Sequence, residues 1–133
     1  MKVDITAGFN NLDDFVKHIQ KTNNIESKAE ARKKALSLIP LEKEYQKQII
    51  TYLNGREDVV AWKDAAGMYQ GRGVPDIIAV KDGIFYGFEI KRPFIGKLST
   101  IQSAFHDKLK KVGGRVFVVS YVSEVRAILD NER

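Results

Sequence analysis

Residues 73–93 read GVPDIIAVKDGIFYGFEIKRP. Two apolar runs meet at Asp82-Gly83, a dipeptide suited to the type I′ turn of a two-residue β-hairpin, whose two central residues both need positive φ. Such a turn sets Lys81 opposite Ile84, Val80 opposite Phe85, Ile78 opposite Gly87 and Asp76 opposite Glu89. Opposed side chains on antiparallel strands stand about 5 Å apart at Cβ. Lys91 lies two residues beyond Glu89, so it projects from the same face. Carboxylates this close repel unless something neutralises them. A divalent cation does so, with carboxylate oxygens as ligands, and Lys91 adds a positive charge near any ion-bound water. Gly87, beside Ile78 on that face, leaves room for a ligand or another backbone. The plainer reading is an ion pair between Lys91 and Glu89 or Asp76.

Composition narrows the choice of ion and partner. At 133 residues with 44% hydrophobic and 29% charged, the chain suits a globular domain with one core. No apolar run approaches the roughly 20 residues of a membrane span. The opening MKVDITAGFNNLDD has no basic flank leading into an apolar stretch, so no membrane contact, no secretory signal and a cytoplasmic setting are expected. Cysteine is absent, which excludes disulfides and thiolate zinc sites. His18 and His106 are the only imidazoles. A bound metal would then be held mainly by carboxylates, which favours hard ions such as magnesium or manganese. The net charge of +5 and pI near 9.4 suit a phosphate-rich partner, or simply a Lys-rich surface.

Either side of the hairpin, periodicity predicts the remaining elements. Residues 11–39 read as two short helices, the first capped by Asn11 and burying Leu12, Phe15, Val16 and Ile19. They are expected to form an N-terminal helical extension over residues 1–40, a packing or dimerisation element. LEKEYQKQIITYLNG predicts a helix with Leu41, Tyr45, Ile49, Tyr52 and Leu53 on one stripe. DVVAWKDAA predicts a strand, and GMYQGRG a glycine-rich loop. LSTIQSAFHDKLKKVGG predicts a helix with a Ser99/Gln102 capping box, RVFVVSYV a buried strand, and SEVRAILDNER a last helix capped by Ser123. Trp62 and Phe105 are expected in the core, His106 as a structural or surface residue, and Lys108, Lys110 and Lys111 as a solvated helix face. The order predicts an α/β fold, a mixed sheet with helices on both faces.

PD followed by E-x-K across a hairpin resembles the PD-(D/E)xK nuclease superfamily. GRGVPDIIAV, FEIKRP, GKLSTIQSAF and GGRVFVVSYVSEV, in this order, resemble its VRR-NUC family over residues 41–126. The resemblance implies a restriction-endonuclease-like α-β-β-β-α-β core over residues 41–133. It implies a magnesium- or manganese-dependent DNA endonuclease acting on branched or structured DNA, or nicking duplex, and of phage or bacterial type. It places catalytic roles on Asp76, Glu89 and Lys91, on a glutamate of the first core helix, and on Gln102. Of Glu42 and Glu44, helical phase favours Glu42, which borders the apolar stripe with Gln46, whereas Glu44 points away with Gln48. Asp76, Glu89, Glu42 and the Ile90 carbonyl would ligate the metal. Lys63, Arg72, Arg92 and Lys97 are candidate phosphate contacts, and Tyr69 could stack on an unpaired base. RPFIGKLST, between Lys91 and Gln102, is longer than the family's usual tight connection. Stand-alone relatives resemble junction resolvases, so a homodimer is an expectation too. The competing readings are a catalytically silent DNA-binding module of the same fold, and a partner protein whose basic charge is incidental.

Overall fold

The computed structural model describes residues 4–64 and 73–131. Their order is α1 (Leu12–Thr22), α2 (Lys28–Leu38), α3 (Glu42–Asn54), β1 (Val60–Lys63), β2 (Ile77–Lys81), β3 (Ile84–Ile90), α4 (Thr100–Lys111), β4 (Arg115–Val119) and α5 (Val122–Asn131). Two compact units emerge, Met1–Leu41 with Arg92–Gly96, and Glu42–Lys91 with Lys97–Arg133.

In the first unit, Asn11 caps α1 by accepting from the Asp14 amide at 2.8 Å, and Ser27 caps α2 by accepting from the Glu30 amide. Both caps satisfy amide groups that the first helical turn leaves unpaired. Phe15, Val16 and Ile19 of α1 pack with Ala31 and Ala35 of α2, and Phe94 and Ile95 join them. The Phe15 and Phe94 rings lie 5.7 Å apart. The long connection after Lys91 therefore has a structural occupation, since it supplies side chains to this core. Arg92 is engaged here as well: Nε donates to the Pro40 carbonyl at 2.9 Å and an Nη to the Ile39 carbonyl at 2.7 Å. Its charge sits at the C-terminal end of α2, where a cation meets the negative helix pole.

The second unit holds a four-stranded sheet in the order β1-β2-β3-β4. The β1–β2 and β2–β3 pairs are antiparallel, and the β3–β4 pair is parallel. The hairpin takes the expected register, with Lys81 opposite Ile84, Val80 opposite Phe85, Ile78 opposite Gly87 and Ile77 opposite Phe88. Asp82 and Gly83 have φ of 53° and 76°, as a type I′ turn demands. Strand alternation then separates two faces. Tyr86, Phe88 and Ile90 share one core cluster with Tyr45, Ile49 and Leu53 of α3 and Val125 and Leu129 of α5. Each such side chain contributes about 1.5–3 kcal/mol on burial. Gly87 and Glu89 point to the opposite face, where α4 lies.

Several local expectations are corrected. Leu41 precedes α3 and is exposed, so the stripe begins at Tyr45. Trp62 is 48% exposed rather than in the core, because β1 is an edge strand and its side chain stands at the wall of an open groove. The β4 strand is the other edge, which leaves Val118 exposed while Val116 and Val119 are buried. Ser123 lies inside α5. Glu124 acts at that end instead, its Oε1 accepting from the Ser120 and Tyr121 amides at 2.9 Å each. Gly87 makes room for neither ligand nor backbone: a Cβ there would lie 2.7 Å from Cγ of Pro75. The glycine admits the proline ring that precedes Asp76. Gly87→Ala is expected to cost about 1–3 kcal/mol, because a rigid ring in a packed face yields little. An unfolding midpoint equal to that of the parent would show that Pro75 can move aside.

Candidate active site

Asp76 sits one residue before β2, where the ladder ends. Its carbonyl accepts from the Asp64 amide at 2.9 Å, which ties it to the end of β1. Its carboxylate turns to β3, Oδ2 accepting from the Ile90 amide at 2.8 Å. In a strand the N–H and C=O of one residue project to the same side. The Ile90 carbonyl is therefore directed toward Asp76 as well.

Glu89 is 1% exposed. Oε2 accepts from Gln102 Nε2 at 3.0 Å and lies 3.5 Å from Lys91 Nζ. Oε1 is buried with no hydrogen-bond partner among the described residues. Burial, then the charge of Asp76 and the hydrogen bond that a protonated Glu89 can donate to it, push the Glu89 carboxyl up to about 8, with Lys91 opposing. Two acids and a lysine thus share one face at one end of the sheet, as the register implied.

Lys91 is held from behind. Its amide donates to the Val119 carbonyl at 3.0 Å, and its own carbonyl accepts from Ser120 Oγ at 2.6 Å. Gln102 is positioned by α4's capping box, in which Ser99 Oγ accepts from the Gln102 amide while Gln102 Oε1 accepts from the Ser99 amide. One side chain thereby caps the helix with its oxygen and reaches Glu89 with its nitrogen. Gly73 brings the chain against that helix end. Its φ is +83°, and a Cβ would lie 2.6 Å from the Ile101 carbonyl oxygen.

The remaining candidates are placed less closely. Glu42 is half-buried at the start of α3 while Glu44 is exposed, in the phase expected. Among the described residues no group of three or more acidic or imidazole side chains gathers closely enough to hold a metal, so Glu42 does not form such a cluster with Asp76 and Glu89. Lys63 is exposed and pairs with Ile77, so by alternation it leaves the sheet on the side of α3, away from the carboxylates. Lys97 is exposed just before α4. Tyr69 and Arg72 lie outside the described residues. Phe105 is half-buried and, with Trp62, Asp64 and Pro75, lines an open groove of about 350 Å³ beside the site.

His106 is the residue that sequence reasoning placed too lightly. It is buried on α4. Its spacing of four from Gln102 was the available signal, because such residues share a helix face.

The donor set suits a hard divalent cation. It offers two carboxylates, a strand carbonyl and an unpartnered buried Glu89 oxygen, with no sulfur ligand. No helix among the described residues is long and apolar enough to cross a membrane.

No family model and no curated protein matches the chain. A solved structure described as a VRR_NUC domain does, with 25% sequence identity and a TM-score of 0.50, over 68% of this chain and 92% of that one. The four-stranded mixed sheet flanked by helices is the restriction-endonuclease-like architecture expected from the sequence. In fold and order of elements the chain is thus similar to a VRR_NUC domain, a likeness that supports a nuclease-type domain of that kind.

Proposed function

We propose that the protein is a divalent-metal-dependent DNA endonuclease that hydrolyses phosphodiester bonds in branched or structured DNA, or nicks duplex, as a homodimer. The observation that supports this most directly is the closeness of Asp76 and Glu89 at the sheet's end, with a buried Glu89 oxygen that meets no partner among the described residues. A buried acid beside a second acid destabilises a fold that has no use for the pair.

Asp76, Glu89 and the Ile90 carbonyl would hold magnesium or manganese, whereas Glu42 stands outside that cluster in this structure and would join it only on a shift of α3. When bound, the ion supplies neutralising charge and lowers the pKa of a coordinated water. Lys91, fixed through Val119 and Ser120, presents its ammonium beside Glu89 and stabilises charge developing on the phosphate. Gln102 holds Glu89 Oε2 and so sets which carboxylate oxygen faces the pocket. Lys97 is the described candidate for a phosphate contact, joined by Arg72 and by Tyr69 as a stacking residue, whereas Lys63 lies on the far face of the sheet and is not used here. Arg92 has its guanidinium on two carbonyls and is not used here.

A panel of labelled DNA structures, incubated with magnesium or manganese, tests the reading. Cutting of at least one structure is expected from the parent protein. Lys91→Met should lower it by about 100-fold or more while divalent-ion binding, followed by calorimetry, persists. A parent that binds DNA but cuts no structure would support the silent DNA-binding module instead.

A further inference from the structure

The α4 helix carries a second polar side chain toward the carboxylates. His106 follows Gln102 by four residues, so the two stand one above the other on the helix. Gln102 spends its amide on Glu89. His106 is 3% exposed, and its Nε2 meets no hydrogen-bond partner among the described residues. An imidazole nitrogen buried this way costs on the order of 1–3 kcal/mol, which an apolar residue would avoid. Such a cost at a packed position calls for a use. In this unit, Glu89 Oε1 and His106 Nε2 are the buried side-chain atoms in that condition among the described residues.

The ring also sits in the field of the site. Burial and Lys110 hold its pKa below the usual range, Asp107 and Asp76 pull it up, and Lys91 pushes it down. The side chain is neutral near physiological pH and offers one N–H and one lone pair. No direct hydrogen bond joins it to either acid, so the link that fits is one water molecule, which a buried polar pocket holds through two to four partners.

We propose that His106 is a positioning residue of this site, its Nε2 holding an ordered water against the Asp76–Glu89 pair. Its kinetic consequence rests on the nuclease reading, whereas the water contact does not. In the full chain, His106→Leu is expected to unfold at the same or a higher temperature than the parent. Its kcat for manganese-dependent cutting should fall about 10–100-fold with KM little changed. His106→Gln, whose amide nitrogen reaches the Nε2 position, should recover most of the rate. A purely structural histidine predicts the reverse, a parental rate in His106→Leu, and that result overturns the proposal. Should His106→Leu fail to fold, the parent protein decides by NMR. His18 and His106 are the only two histidines, so their ring protons are readily assigned. The His106 ring should show a cross-relaxation peak to a long-lived water, and its absence overturns the proposal. A parent that cuts no DNA sinks the nuclease reading and leaves this water contact to be judged on the spectrum.

Discussion

Asp76→Asn is expected to lower divalent-ion-dependent DNA cleavage by about 1,000-fold or more while making the metal-free protein more stable at pH 9. The two effects have one origin. Asp76 is the largest source of charge repulsion on Glu89, after burial itself. An amide removes that repulsion yet keeps an oxygen to accept from the Ile90 N–H, which Asp76 now serves at 2.8 Å. The strand end stays tied and the charge conflict disappears. The unfolding midpoint without divalent ions should rise by about 3–8 °C, the shift that roughly 1 kcal/mol gives in a small domain. A variant that lost both cleavage and stability would show that the acid pair supports the fold rather than a reaction. The parallel measurement is a thermal scan in chelator at pH 9, set beside the cleavage panel.

Stability and metal affinity should also move with pH in opposite directions. In the folded chain Glu89 keeps its proton up to about 8, whereas an unfolded glutamate releases it near 4.5. Between these values the folded state binds more protons than the unfolded state. Metal-free stability therefore falls as pH rises through this window, by up to about 1.4 kcal/mol per pH unit, and levels off above it. A divalent ion must displace the same proton to reach the carboxylate. Its affinity is expected to rise by up to about tenfold per pH unit from pH 6 to 8 and then flatten. Calorimetry with manganese in buffers of different ionisation enthalpy reads both the affinity and the proton released. Affinity independent of pH across this range would mean that Glu89 is already ionised, contrary to its burial beside Asp76.

Much of this site was legible before any coordinates. The register of the hairpin follows from Asp82-Gly83 alone, since a two-residue turn leaves the strands one alignment. That register put Asp76, Glu89 and Lys91 on one face. The Ser99/Gln102 capping box was equally local, a matter of spacing within one helical turn. The choice of Glu42 over Glu44 rested on helical phase; Glu42 is the more buried of the two, yet it does not gather with Asp76 and Glu89.

What escaped the sequence involved distance along the chain. Gly87 looked like space for a ligand, but the space is filled by Pro75, twelve residues earlier and just ahead of the neighbouring strand. Trp62 looked like core from its size alone, yet it stands on an edge strand at the wall of an open groove. Arg92 looked like a phosphate contact because it adjoins Lys91, whereas its partners are carbonyls some fifty positions earlier. His106 drew little notice because nothing near it in sequence shows that its ring is buried.

Local sequence settles the turn, the strand pairing it imposes, the Asn11 and Ser99 helix caps and the presence of the acid–acid–lysine set. Each is settled by backbone conformational preference or by spacing within a few residues. Long-range packing set the rest: Glu89 is buried, Gln102 reaches it while capping α4, Arg92–Gly96 packs with the N-terminal helices, and His106 is buried with Nε2 unpartnered among the described residues. Those outcomes depend on which surfaces come together, and burial, more than the identity of any residue, is what moves the Glu89 carboxyl to about 8.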